Sequence, residues 1–191
     1  MLEPKTVNDF LMISKQKPRE WDRAALLDYL TAQGIAYEET LHQPVHTMAE
    51  SAKLGHTLAG SRCKNLFVQD KKGVQRFLVV TPPAASLDLG GLGRILGAGR
   101  LSLCPPDVMQ SLLQVSPGSL SPLALVADCG AVKIRLLMDA TLRTVSNFLF
   151  HPLVNTSTIC LCRDDLERFI QSTGHVSEYV SMPTRPVVND Q

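Results

Sequence analysis

The run Phe77-Leu78-Val79-Val80 offers no polar side chain to either face of a strand, so as a strand it must be covered on both sides. An apolar segment at residues 63–69 precedes it. Asp70-Lys71-Lys72-Gly73, a polar turn ending in glycine, separates this segment from residues 75–81, which is the pattern of a β-hairpin. Pro82-Pro83 then ends the second strand. A hairpin with a central second strand needs a layer of structure on each face of its sheet, and the rest of the chain must supply both.

The remaining segments alternate in type. Residues 21–33 place Ala24, Leu26, Leu27 and Leu30 at helical spacing, with Gly34 as the cap. Residues 35–41 read as a strand, and 47–54 as a short helix with a Thr47/Glu50 capping box. A glycine-weakened helix at 88–96 leads to a strand at 100–104, and Pro105-Pro106 opens a helix over 107–113. Residues 123–127 and 132–138 read as a second hairpin around Asp128-Cys129-Gly130. Strands at 146–150 and 156–162 precede an amphipathic helix at 163–173, closed by Gly174. Residues 1–20 form an N-terminal extension, partly helical at 7–13; residues 21–180 form one domain and 181–191 a polar tail. The expected class is mixed α/β, a mainly antiparallel sheet with surrounding helices.

Composition excludes several functions. With 191 residues, 45% hydrophobic and 19% charged, the chain suits a compact domain, and its net charge of +1 allows only a small, local nucleic-acid contact. The first twenty residues carry Lys5, Lys15, Lys17 and Arg19 and lack the apolar centre of a signal peptide, and no apolar run has membrane-spanning length. The five cysteines are odd in number and contain no CxxC pair, so they support neither a zinc site nor a disulfide framework. Free thiols fit a reducing compartment, and a cytoplasmic location is expected. His42, His46 and His56 lack metal-ligand spacing, and Gly90-Gly91-Leu92-Gly93 lacks the context of a dinucleotide loop. No metal and no cofactor are expected.

Three features carry possible chemistry. In a strand, Lys64 shares a face with Leu66 and Val68, opposite to Cys63, Asn65 and Phe67. A lysine among core residues is costly unless paired or used; the plainer reading is a stem that snorkels to water. Gly118-Ser119-Leu120-Ser121-Pro122 is a loop whose backbone N–H groups suit a carbonyl or oxyanion, although glycine–proline turns are common. His151, held before Pro152 with Asn155 close behind, suits substrate orientation, although a lone histidine is more often structural.

These features occur in a recognisable order. His42-Gln43-Pro44-Val45-His46-Thr47, Gly60-Ser61-Arg62-Cys63-Lys64-Asn65-Leu66-Phe67, the loop 118–122 and His151-Pro152-Leu153-Val154-Asn155-Thr156 together resemble the YbaK/prolyl-tRNA editing domain family. Asp164-Asp165-Leu166 and Gly174-His175 extend the resemblance, which covers roughly residues 22–180 and looks most like the free-standing Ala-tRNA(Pro) deacylases. It implies a trans-editing hydrolase that releases a wrong amino acid from tRNA, needed because a pocket built for proline cannot strongly exclude alanine. Lys64 would then be the essential catalytic lysine, acting as a fixed cation or as a neutral base. Asn65, Gly118, Ser119, Pro122, His151 and Asn155 would bind the aminoacyl end, and Arg62 and Arg100 the tRNA. Gln69 departs from the family, where many alanine-specific relatives carry a further lysine. The implied partners are the acceptor end of tRNA(Pro) and, as a second candidate, prolyl-tRNA synthetase. Other mischarged tRNAs (Cys-tRNA(Pro), Ser-tRNA or Thr-tRNA) and a non-catalytic tRNA- or synthetase-binding module are the alternatives.

Overall fold

The hairpin forms, and its register decides where its side chains point. In the computed structural model, which describes residues 19–44, 58–129, 131 and 133–185, β3 (Lys64–Asp70) pairs antiparallel with β4 (Arg76–Thr81). Asp70 closes the turn. Its carboxylate accepts the N–H groups of Val74 (2.7 Å) and Gln75 (3.1 Å), and its carbonyl accepts that of Gly73 (3.0 Å). The sheet runs β5 (Leu101–Leu103), β3, β4, β6 (Ile134–Asp139), β9 (Ser177–Val180), so β4 is central. A second sheet runs β1 (Glu38–Leu41), β8 (Ser157–Cys162), β7 (Asn147–Phe150), β2 (Ser61–Arg62). Four strand pairings are antiparallel, while β2–β7, β4–β6 and β6–β9 are parallel.

Each face of β4 has its own core. Leu78 and Val80, with Phe67, pack against Phe148, Phe150, Ile159 and Leu161 of the second sheet. Helices α1 (Arg23–Ala32) and α4 (Arg163–Ser172) add Leu26, Leu30, Leu166 and Phe169 to this cluster. Phe77 and Val79, with Val68, pack on the other face against Leu92 of α2 (Leu89–Ile95). Gly93 of α2 permits a close approach: a Cβ there would lie 1.8 Å from Gly99 O. Residues 177–185, of which 181–185 fall in the tail expected from sequence, also cover this face. β9 lies beside β6, Met182 joins the cluster, and Thr184 bridges to Leu87. The expected helices at 7–13 and 47–54 lie outside the described residues.

The expected second hairpin does not form. Pro122–Asp128 is a 3-10 helix, and β6 pairs in parallel with β4 and β9 instead of folding back on it. Pro122 opens the helix at a position where its missing N–H costs nothing. Leu123 to Val126 are all buried, and a short apolar run covered on all sides has no periodicity to separate strand from helix. This helix packs beside α4 and α3 (Pro106–Leu113). Asp128 then holds the exit: its Oδ2 accepts from Lys133 N (2.7 Å) and Ile134 N (2.8 Å), and His175 Nε2 lies 3.2 Å away. Removing this carboxylate leaves the buried Ile134 N–H without its acceptor. Asp128→Ala is expected to cost about 3 kcal/mol, read as a lower midpoint in urea unfolding with an unchanged slope. An unchanged midpoint would show that the turn does not depend on this carboxylate.

Candidate functional site

Lys64 and Asn65 begin β3 where the chain crosses from the second sheet to the first, directly after β2. Lys64 stands opposite Thr81 and Asn65 opposite Val80. Strand alternation puts Lys64 on the face of Leu66 and Val68, as expected, and turns Asn65 toward the face of Phe67. Lys64 is half-buried, and among the described residues no carboxylate forms an ion pair with it.

Two hydrogen bonds join the three sequence motifs. Asn65 Nδ2 donates to Leu120 O at 3.0 Å, tying β3 to the loop 118–122. Ser121 Oγ donates to His151 O at 2.7 Å, tying the same loop to the end of β7. Gly118 has φ +93, a conformation that only glycine adopts without strain, and it lines a cavity of about 430 Å³ together with Asn65. Ser119 is buried in the loop, and Pro122 is buried at the start of the 3-10 helix. Asn65 Oδ1 is buried and lacks a hydrogen-bond partner, an orphaned acceptor next to this cavity.

The arrangement around His151 explains its protonation. Ser157 O lies 2.7 Å from His151 Nδ1, and a carbonyl can only accept, so Nδ1 carries the proton and Nε2 keeps a lone pair. His42 approaches from β1. Its Nδ1 donates to Gln43 O (2.8 Å), its Nε2 accepts from Thr158 Oγ1 (2.9 Å), and its ring centroid lies 5.7 Å from that of His151. Burial pushes the His151 pKa below its ordinary value; the Ser157 carbonyl opposes this and His42 adds to it. Next to this pair, Glu39 receives Ser157 Oγ (2.5 Å) and both arms of Arg23, whose guanidinium holds the carboxylate below its usual range. The loop after His151 carries strain: Leu153 has φ +66 and is buried. Asn155 is half-buried in the same loop and has a partner.

The basic residues do not gather at this cavity. Arg62 lines a different one, of about 430 Å³, with Pro82 and Thr141, and Arg100 is exposed ahead of β5. Gln69 pairs across the sheet with Arg76 and Ser102. Sequence reasoning gave His42 no role beyond its motif and missed Thr158 and Glu39 altogether. The β1–β8 pairing brings them to His151, and no spacing in the chain reveals that register. Among the described residues no group of three or more His, Cys, Asp or Glu is placed to hold a metal ion, and no helix is long and apolar enough to cross a membrane.

Known proteins resemble this chain in sequence and in fold. The aminoacyl-tRNA editing domain model matches residues 42–169. The chain is 29% identical over 160 residues to the prolyl-tRNA editing protein ProX of Acetoanaerobium sticklandii, covering 84% of this chain and 97% of that one. It is 34% identical over 155 residues to prolyl-tRNA synthetase associated domain-containing protein 1 of Bos taurus, covering 80% and 91%. A solved structure described as a candidate trans-editing enzyme for prolyl tRNA synthetase superposes with TM-score 0.64 at 17% identity, over 85% of this chain and 98% of that one, which shows a shared fold.

The His151 environment has a measurable consequence. Its folded-state pKa lies below the ordinary 6.5, so as pH falls through that value the unfolded chain takes up a proton that the folded chain resists. This contribution to stability is intact above pH 6.5 and is lost as pH falls. Thermal melts between about pH 7.5 and about pH 5.5 are expected to show a steeper loss for wild type than for His151→Gln. Parallel curves would contradict it.

Proposed function

The chain belongs to the aminoacyl-tRNA editing domain family, and from that premise we propose that it is a hydrolase acting in trans on mischarged tRNA, with Ala-tRNA(Pro) as its substrate. The observation that carries this reading is the joining of three motifs at one place: Asn65 on β3, the loop 118–122 and His151, linked by the Asn65–Leu120 and Ser121–His151 hydrogen bonds. The working unit is residues 21–180, which encloses the matched span 42–169.

In the reaction a water oxygen bonds to the ester carbonyl carbon, the tetrahedral intermediate collapses, and the tRNA ribose oxygen leaves with a proton. The products are free amino acid and uncharged tRNA. Such a site must steady the oxyanion and place the water; it needs no covalent nucleophile. Lys64, half-buried and without a carboxylate partner among the described residues, supplies positive charge to the ester and the tRNA end. Asn65 Oδ1 is a free acceptor suited to the substrate's α-ammonium. The loop from Gly118 to Pro122, with Ser119 between them, presents backbone to the aminoacyl group. His151, a neutral acceptor through Nε2, and Asn155 border the ribose. Arg62 and Arg100 meet the tRNA backbone outside the pocket. The partner is the acceptor end of tRNA(Pro), mischarged by prolyl-tRNA synthetase, and the reaction takes place in the cytoplasm.

Deacylation of labelled Ala-tRNA(Pro), run beside Cys-tRNA(Pro), Ser-tRNA and Thr-tRNA, tests this. Wild type is expected to hydrolyse the alanyl ester fastest. Lys64→Ala is expected to lose about 100-fold or more in rate while keeping its melting temperature. A mutant as fast as wild type would remove Lys64 from the mechanism.

A further inference from the structure

His151 has a second neighbour at its protonated nitrogen. Ser157 O lies 2.7 Å from Nδ1, and Thr158 Oγ1 lies 3.4 Å from the same atom. A hydroxyl can donate or accept, so this contact alone leaves the direction of the Thr158 proton open. His42 decides it. Its Nδ1 faces Gln43 O at 2.8 Å, and a carbonyl only accepts, so Nδ1 carries the proton and Nε2 a lone pair. That lone pair takes the Thr158 hydroxyl proton at 2.9 Å. The Thr158 oxygen therefore turns its own lone pairs to His151. The donors run one way: His151 toward Thr158, Thr158 to His42, His42 to Gln43.

A neutral His151 is already satisfied by Ser157 O. A second acceptor gains its value when the ring becomes a cation, because a charged donor holds acceptors more strongly. Burial disfavours that cation, and Thr158 is buried beside it, so the fixed hydroxyl dipole takes the place of water.

We propose that Thr158 and His42 are positioning residues for ester hydrolysis: His42 aims the Thr158 oxygen at His151, and this steadies the ring while Nε2 holds a proton taken from the attacking water. The water oxygen bonds to the ester carbonyl carbon as that proton moves to Nε2. On collapse the bond from this carbon to the ribose oxygen breaks, and the proton passes from Nε2 to the departing oxygen. The Nδ1 proton stays in place throughout, and the ring ends neutral. The proposal rests on the reading of the chain as an aminoacyl-tRNA hydrolase with His151 beside the ribose.

Two substitutions at Thr158 separate the oxygen from the shape. Valine keeps the β-branch and removes the oxygen; serine keeps the oxygen and drops the methyl. In deacylation of Ala-tRNA(Pro), Thr158→Val is expected to lower kcat about tenfold with KM unchanged, the scale of one hydrogen bond to a charged group. Thr158→Ser is expected to recover most of that loss. His42→Phe, a ring without an acceptor, is expected to match Thr158→Val, and the double variant to be no slower than either alone. A serine variant slower than the valine one assigns Thr158 to packing and overturns the inference, as do losses that multiply in the double variant. Nitrogen NMR of histidine-labelled protein adds a reading that needs no turnover. Above the ordinary histidine pKa, the His151 signal, identified by its loss in His151→Gln, is expected to show the proton on Nδ1. A proton on Nε2 overturns the inference even if the other variants fold poorly. A wild type that hydrolyses the ester, with Thr158→Val equally fast, defeats this inference and keeps the proposed function. A wild type that hydrolyses no aminoacyl-tRNA defeats the proposed function and this inference with it.

Discussion

β4 leaves no side chain from Phe77 to Thr81 in water, and the whole architecture answers that constraint. Covering two faces of one sheet takes two separate layers. The second sheet with α1 and α4 forms one, and α2 with the chain from Val180 to Met182 forms the other. Each layer has its own cost in close approach. On the α2 side this is met by glycine at position 93, where the helix lies against Gly99 O. On the other side it is met by the 3-10 helix, whose apolar residues fill the space between α3, α4 and β6.

The candidate site lies where this layering changes over. Between Arg62 and Lys64 the chain leaves one sheet and enters the other, so Lys64 and Asn65 stand at the start of a ladder rather than within it. A polar pair in mid-strand would face sealed cores on both sides, at a large desolvation cost. At the seam, Asn65 finds Leu120 O with one half of its amide and leaves Oδ1 unsatisfied. The positive φ of Leu153 in the loop after His151 is a second departure from ordinary backbone at the same place. Such departures are held only where the surroundings over-determine them, and here a buried leucine anchors the loop.

His151 shows how packing sets chemistry. Its position before Pro152 says nothing about which nitrogen carries the proton. The Ser157 carbonyl decides that, and burial beside His42 disfavours the charged ring. The carboxylate of Glu39, held by Arg23, braces Ser157 from the other side. A neutral acceptor is therefore a product of three strands brought together, β1, β7 and β8.

By itself the sequence determined the hairpin of β3 and β4, the central place of β4, the helices at both ends of the domain, and the motifs that resemble the editing family. These are local signals: periodicity, turn chemistry, proline and glycine punctuation, and short strings of residue types. Only the tertiary structure decided that residues 122–128 form a 3-10 helix, that β6 runs parallel to β4 and β9 to β6, and that residues 181–185 pack rather than trail. It also decided that Asn65, not Lys64, reaches the loop at Gly118, and that His42 and Thr158 meet His151. The reason is the same in each case. A buried apolar run has no exposed face to mark its period, and pairing between distant strands is settled by which cores must be covered, a property of the whole chain and of no single window along it.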